Sequence, residues 1–268
     1  MAMFGFIGVG NMGYPLFKAA VNTFGSGEVV YTDASPARNQ FVKDDTGVDF
    51  AEDNIAVVKQ CKYLVLAVKP QFFSPVLEQV KEYVTGEHVV ISIAAGVTIR
   101  FLKESISESV RIVRAMPNTP ALVNKGMTGI SFSKDTFSDG EHTVIDRFFR
   151  SFGKYEVFDE KLMNAVICAN GSSPAYVYMF IEALADSVVS YGIPREKAYT
   201  LAAQTVLGAA AMVLETGEHP GKLKDNVCSP GGTTIAAVKA LEEYGLRNAV
   251  MKATDACYGK AVSLSEEK

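Results

Sequence analysis

Through residues 1–158, short apolar runs of strand length alternate with segments whose apolar residues recur at helical spacing. The first kind comprises Phe4 to Ile7, Glu28 to Thr32, Tyr63 to Val68, Val89 to Ile93 and Arg111 to Ala115, of which Val89 to Ile93 is apolar enough for burial on both faces. Between them the spacing predicts helices after Gly13, over Glu52 to Gln60 and over Phe73 to Val84. A last strand, helix and strand are expected over Gly129 to Phe132, Glu141 to Phe152 and Tyr155 to Phe158. Such alternation implies an α/β fold built on a doubly wound parallel sheet. After Asp159 the strand signals stop. A helix from Glu160, a long one from Pro174 to Tyr191 ended by Gly192, and another from Pro194 to Leu214 predict an all-helical second domain over 159–268.

Gly8-Val9-Gly10-Asn11-Met12-Gly13 follows the first strand and opens the first helix as G-x-G-x-x-G. A dinucleotide needs that sequence of parts: one glycine for the turn, one for the approach of a pyrophosphate, one for helix packing. The sheet therefore reads as a Rossmann-type dinucleotide-binding domain over 1–158. Asp33 ends the second strand about 20 residues past the motif, where an acid commonly accepts from the adenosine ribose. Asp33-Ala34-Ser35-Pro36 reads equally as a helix cap, and the two roles are compatible. Ser35 and Arg38 offer an alternative grip on a 2'-phosphate, so NADH and NADPH both stay open, with the acid tilting the choice toward NADH. Ligands of such sheets sit beyond the carboxyl ends of the strands, which assigns Ala67-Val68-Lys69-Pro70 and Ala95 to the cofactor cleft. The proline-stiffened loop carrying Asn118 and Thr119 is a candidate wall on the nicotinamide side.

Charge and composition narrow the partner. A net charge of -4 over mixed signs supplies no basic stripe for nucleic acid or an anionic membrane, so a small-molecule substrate is expected. Cys61, Cys168, Cys228 and Cys257 lie far apart without histidine partners, which argues against zinc, any other metal site or a disulfide framework. Met1 to Gly5 runs straight into a strand with no basic n-region, and a cytoplasmic protein is expected. The uncharged run Ala198 to Leu214 approaches membrane-span length, but its alanines, Gln204, Thr205 and Gly208 favour a closely packed helix, and no membrane segment is expected. The second half carries too many Ala, Val, Leu and Met positions for one solvated surface. A homodimer is the minimum expectation, with mutual cover within the chain as the alternative.

The densest chemistry lies in Lys224 to Thr234, where Ser229-Pro230-Gly231-Gly232-Thr233-Thr234 leads into Ile235, Val238 and Leu241 at helical spacing before Gly245. A helix beginning near Ser229 to Thr234, with Pro230 in its first turn, would present unpaired N–H groups to a small carboxylate. A capped helix without a ligand fits the same spacing.

Together these residues resemble pyrroline-5-carboxylate reductase over essentially the whole chain. The most specific segment is Asp225-Asn226-Val227 with Ser229-Pro230-Gly231-Gly232 and Thr234, followed by Leu241-Glu242 and Gly245; Val68-Lys69-Pro70, Ala94-Ala95-Gly96-Val97-Thr98, Asn118-Thr119-Pro120 and His219-Pro220-Gly221 are also similar. The resemblance implies reduction of the C=N bond of 1-pyrroline-5-carboxylate to L-proline, the last step of proline biosynthesis, with NADPH or NADH as hydride donor. It further implies that Asn54 meets the cofactor ribose, Asn226 the cofactor, and Glu160, Thr233 and Thr234 the substrate pocket, and that helical-domain dimers assemble further, often into decamers. Thr234 is the expected donor to the substrate ring nitrogen, with Ser229, Gly231, Gly232 and Thr233 around the carboxylate. Ser173 and Lys260 depart from the glycine and arginine usual in the family. A 3-hydroxyisobutyrate-type dehydrogenase is the rival enzyme, since Ile7 to Pro15 is similar to its opening and Lys222 to Asn226 could mimic its Lys and Asn, but its Ser-Gly-Gly substrate segment has no counterpart. A dinucleotide-binding sensor without turnover is a rival of another class.

Overall fold

The computed structural model describes residues 2–266. Its elements, in chain order, are β1 Ala2–Ile7, α1 Gly13–Phe24, β2 Val29–Thr32, α2 Pro36–Thr46, α3 Asn54–Gln60, β3 Cys61–Leu66, α4 Phe73–Val80, β4 Val89–Ser92, α5 Ile99–Ser105, β5 Arg111–Met116, β6 Gly126–Phe132, α6 Asp139–Arg150 and β7 Gly153–Val157. Then follow α7 Met163–Val166, a π-turn Ile167–Gly171, α8 Ser173–Ser190, α9 Arg195–Thr216, α10 Pro220–Val227, α11 Thr233–Glu243 and α12 Leu246–Glu266.

The chain forms two compact units, Met1–Ser172 with Cys257–Lys268, and Ser173–Ala256. The first is a seven-stranded sheet in the order β2-β1-β3-β4-β5-β6-β7 with one apolar core on each face. One of those cores gathers Phe4, Phe6, Phe17, Phe148 and Phe149, whose rings meet edge-on or stacked. Strands β1 to β5 are parallel, as the alternation of elements requires. The expectation of a wholly parallel sheet is corrected at β6, which pairs antiparallel with β5, while β7 follows β6 in parallel. Only the loop around the one-turn helix Thr119–Val123 joins β5 to β6, and a parallel return needs a crossover of a dozen or more residues. The residues Glu160 to Gly171, placed by the sequence pattern in the helical domain, lie within this first unit.

Helix α6 anchors the sheet's amino-terminal rim through a buried acid. Ser138 caps it, and Glu141 returns a bond to the Ser138 N–H at 2.9 Å. The same carboxylate, 1% exposed, takes Arg111 Nη1 at 2.6 Å and Lys62 Nζ at 3.0 Å. Burial pushes the Glu141 carboxyl up, but the Ser138 amide, Lys62 and Arg111 outweigh it and hold it below the ordinary value of 4.5. A carboxyl lowered by folding stabilises the fold above its unfolded value and loses that contribution as pH falls through the folded one. Glu141→Gln is therefore expected to cost about 2 kcal/mol at neutral pH and to flatten the fall of stability below pH 4.5. Denaturant melts of both proteins between pH 3 and pH 7 check this; parallel stability curves would refute it.

The second unit is helical. Its small core is Ala185, Ala198 and Ala202 with Ile181, Leu184 and Val188 around them, where alanines let α8 and α9 approach closely. Tyr178, Met179, Leu201, Leu207, Met212 and Leu214 stand exposed. Helix α9 is long and apolar enough to cross a membrane by length and composition alone, which the sequence pattern did not grant it. Ser173 opens α8 with ordinary negative φ, so the serine is accommodated where the family usually carries glycine.

Candidate functional site

The strand order reverses between β1 and β3, and the cleft beyond their carboxyl ends is where an open α/β sheet takes its ligand. A cavity of about 750 Å³ lies there, lined by Gly8 and Gly10 after β1, Thr32 and Asp33 after β2, and Ala67, Val68 and Lys69 after β3. Asn54 and Gln79 close another side, joined by a 2.8 Å bond between their amides. Each glycine has a distinct reason to be one. Gly8 holds φ +93° at the turn, its N–H on Thr32 O at 2.9 Å. A Cβ on Gly13 would stand 2.3 Å from Gly8 O, where α1 begins against the loop. A Cβ on Gly10 would meet no protein atom within 4 Å, so that position is kept bare toward the cleft rather than toward the fold.

Asp33 is built in with care. Buried Asn39 bonds both its N–H and its carbonyl at 2.8 Å, and the carboxylate accepts Ser35 N at 3.0 Å and Val9 N at 2.9 Å. The helix cap expected across this segment is Ser35, whose Oγ accepts Arg38 N at 3.3 Å. Val9 is itself buried, Asn11 is exposed in the turn and Met12 precedes α1 without capping it. Pro70 starts a short turn after Lys69. Phe50, Phe72 and Val76 complete the cleft wall, and sequence reasoning missed them. A partly exposed phenylalanine looks like any core phenylalanine until its neighbours are known.

Two expected site residues are engaged elsewhere in the first unit. Glu160 Oε1 accepts Ile99 N at 2.7 Å and Arg114 Nη1 at 3.1 Å, so its carboxylate clips α5 to β5. Burial lowers the Arg114 guanidinium from its usual value, and Glu160 opposes that shift. Asn118 gives Nδ2 to Asn170 O at 3.0 Å and takes Met127 N on Oδ1 at 2.9 Å, which makes it a strut between the loop and the π-turn. Asn170, overlooked in the sequence, completes the strut by donating to Met116 O and Met127 O. Ala95 is half-buried in the turn after β4, outside the cleft lining.

In the second unit, α11 starts at Thr233 with Gly232 as its cap residue, and Pro230 lies ahead of the first turn rather than in it. Gly231 holds φ +70°, and Gly232 N turns back to Ser229 O at 3.0 Å. The first intrahelical bond is Ala236 N to Gly232 O, which leaves the amides of Thr233, Thr234 and Ile235 without a helical partner. No side chain caps them. Ser229 is exposed beside this turn, and Asn226 is exposed near the end of α10.

Comparison with known proteins settles the family. Over 98% of both chains, 46% of residues are identical to the pyrroline-5-carboxylate reductase of Escherichia coli K12. The chain belongs to the pyrroline-5-carboxylate reductase family. The Methanosarcina acetivorans member is 43% identical over 93% of each chain. A family model described as pyrroline-5-carboxylate reductase dimerisation matches residues 160–264, and one described as NADP oxidoreductase, coenzyme F420-dependent, matches 3–96. Among solved structures, the Coxiella burnetii enzyme superposes with TM-score 0.89 at 35% identity, covering 98% of each chain. The Plasmodium falciparum pyrroline carboxylate reductase with NADP bound gives 0.88 at 32%, again over 98% of each. Membership makes this chain an NAD(P)H-dependent oxidoreductase that works as a homo-oligomer.

Proposed function

We infer that this protein reduces the C=N bond of 1-pyrroline-5-carboxylate to give L-proline. The observation that carries the reading is the pairing, in one chain of this family, of a bare-glycine dinucleotide cleft with a glycine-led helix start whose amides lack partners. The dinucleotide supplies the hydride when bound. The chain's own residues bind and orient. Open amides at the first turn of α11 and the positive end of its dipole suit the substrate carboxylate, and the Thr234 hydroxyl is assigned the hydrogen bond to the ring nitrogen. Gly8, Gly10 and Gly13 form the seat for the pyrophosphate, with Asp33 and Asn54 toward the ribose. Imine reduction needs no lysine base, which separates this reading from hydroxyacid oxidation.

The exposed apolar side chains of α8 and α9 suit cover by a second copy, and assembly into a dimer, with decamers built from it, follows as the proposed state. Cover of this kind also accounts for the hydropathy of α9 without a membrane, and a cytoplasmic location is proposed with it.

Asp33 favours NADH, because a 2'-phosphate arriving beside its carboxylate is repelled, and Arg38, the cation offered by the same segment, is engaged by Val9 O. Steady-state assays with the pyrroline substrate are expected to give NADH a kcat/KM at least equal to that of NADPH. A clear preference for NADPH would remove Asp33 from that role. No turnover with either cofactor, despite cofactor binding, would instead favour the sensor reading.

A further inference from the structure

Arg38 follows β2 in the segment that the sequence offers for a 2'-phosphate, yet its side chain faces the glycine loop. Its Nε donates to Val9 O at 2.6 Å, and Nη2 lies 3.5 Å from Gly10 O. The guanidinium carbon is 4.8 Å from the centre of the Tyr14 ring and 4.9 Å from that of Phe41, so an aromatic on α1 and another on α2 hold it in place. Tyr14 is fixed in turn by its hydroxyl bond to Asp45, which also pairs with Lys18 at 2.8 Å. From the same β2–α2 segment, Asp33 Oδ2 takes the Val9 N–H at 2.9 Å. Both polar groups of the Val9 backbone are thus gripped by side chains more than twenty positions away.

A planar trans peptide places the N–H of Gly10 on the side opposite the carbonyl of Val9. Whatever fixes the direction of that carbonyl fixes the direction of the Gly10 amide, and Gly10 lines the cleft.

We infer that Asp33 and Arg38 form a clip on the Val9 backbone that sets the Gly10 amide for the pyrophosphate, which makes Arg38 a positioning residue that serves NADH and NADPH alike. The inference rests on the cleft being the dinucleotide seat. It also explains why Arg38 makes a poor selector. Turning toward a 2'-phosphate would release the carbonyl and both rings, so any gain at the ribose is offset by a loosened pyrophosphate grip.

The test is direct binding of NADH and of NADPH to the assembled protein, by calorimetry, in wild type, Arg38→Gln and Arg38→Lys. Arg38→Gln is expected to weaken both cofactors by about 10-fold, with the ratio of their Kd values unchanged within about twofold. Arg38→Lys, which keeps one charged donor for Val9 O, is expected to recover part of the loss. The Gly10 amide in the cofactor-free protein, followed by NMR, should shift in Arg38→Gln and lie nearer its wild-type position in Arg38→Lys. Should Arg38→Gln unfold, the lysine variant carries the test by itself, through its Kd ratio and the Gly10 amide. A loss confined to NADPH makes Arg38 a reader and overturns the clip, as does unaltered affinity for both. A wild type that binds neither cofactor overturns the cleft assignment as well.

Discussion

Gly10→Ala is expected to melt at the wild-type temperature and to bind NAD(P)H about 5-fold to 150-fold more weakly, the equivalent of roughly 1 to 3 kcal/mol of overpacking. Gly13→Ala, one turn further on, is expected to do the reverse in order of cause. The difference lies in what each added methyl would meet. At Gly10 it meets no protein atom within 4 Å and the backbone needs no left-handed conformation, so the fold has no reason to object. The methyl occupies the space through which a pyrophosphate would reach the loop amides. At Gly13 it would stand 2.3 Å from the carbonyl oxygen of Gly8 and 2.9 Å from Ala67 Cβ, so α1 must move off β1 and β3. Backbone atoms cannot rotate away as a flexible side chain can. About 3 kcal/mol of stability should be lost, and affinity falls because the loop is displaced. Melting temperature and calorimetric Kd on the two variants separate the cases. A Gly10→Ala protein that binds as wild type would show that no ligand approaches there.

Thr234→Val should lose about 5-fold to 150-fold in kcat/KM, the value of one hydrogen bond of roughly 1 to 3 kcal/mol made to the reacting ring. Valine keeps the branched shape and removes only the hydroxyl, and the two residues have similar helix propensity. The competing account, in which the hydroxyl caps α11, predicts instead about 1 kcal/mol of lost stability with turnover intact. Gly232 holds the cap position and no side chain caps the helix, so the melting temperature is expected to stay put. NADH affinity should hardly change. Wild-type kcat/KM in Thr234→Val would end the assignment of this hydroxyl to the ring nitrogen, whatever the melting temperature does.

The local grammar of the chain was legible without coordinates. Apolar runs such as Val89 to Ile93 became buried strands, and Gly8, Gly10 and Gly13 stood at a strand-to-helix turn, because sheet burial and tight turns constrain residue types at short range. Element ends were less secure: α4 stops at Val80 and α11 waits until Thr233, since Pro230 and Gly231 form a turn that spacing alone cannot tell from a first helical turn. What the tertiary structure alone decided were the partners of polar groups. Glu160 meets an amide 61 residues away, Asn118 a carbonyl 52 away, and Arg38 a carbonyl 29 away. The reversal of β6 likewise depends on which strand edge the short loop after β5 can reach. Periodicity reports which side of an element is apolar and local steric needs report where glycine must stand. The pairing of a carboxylate, an amide or a guanidinium is settled only when folding brings distant strands together and leaves each buried donor or acceptor to find a partner.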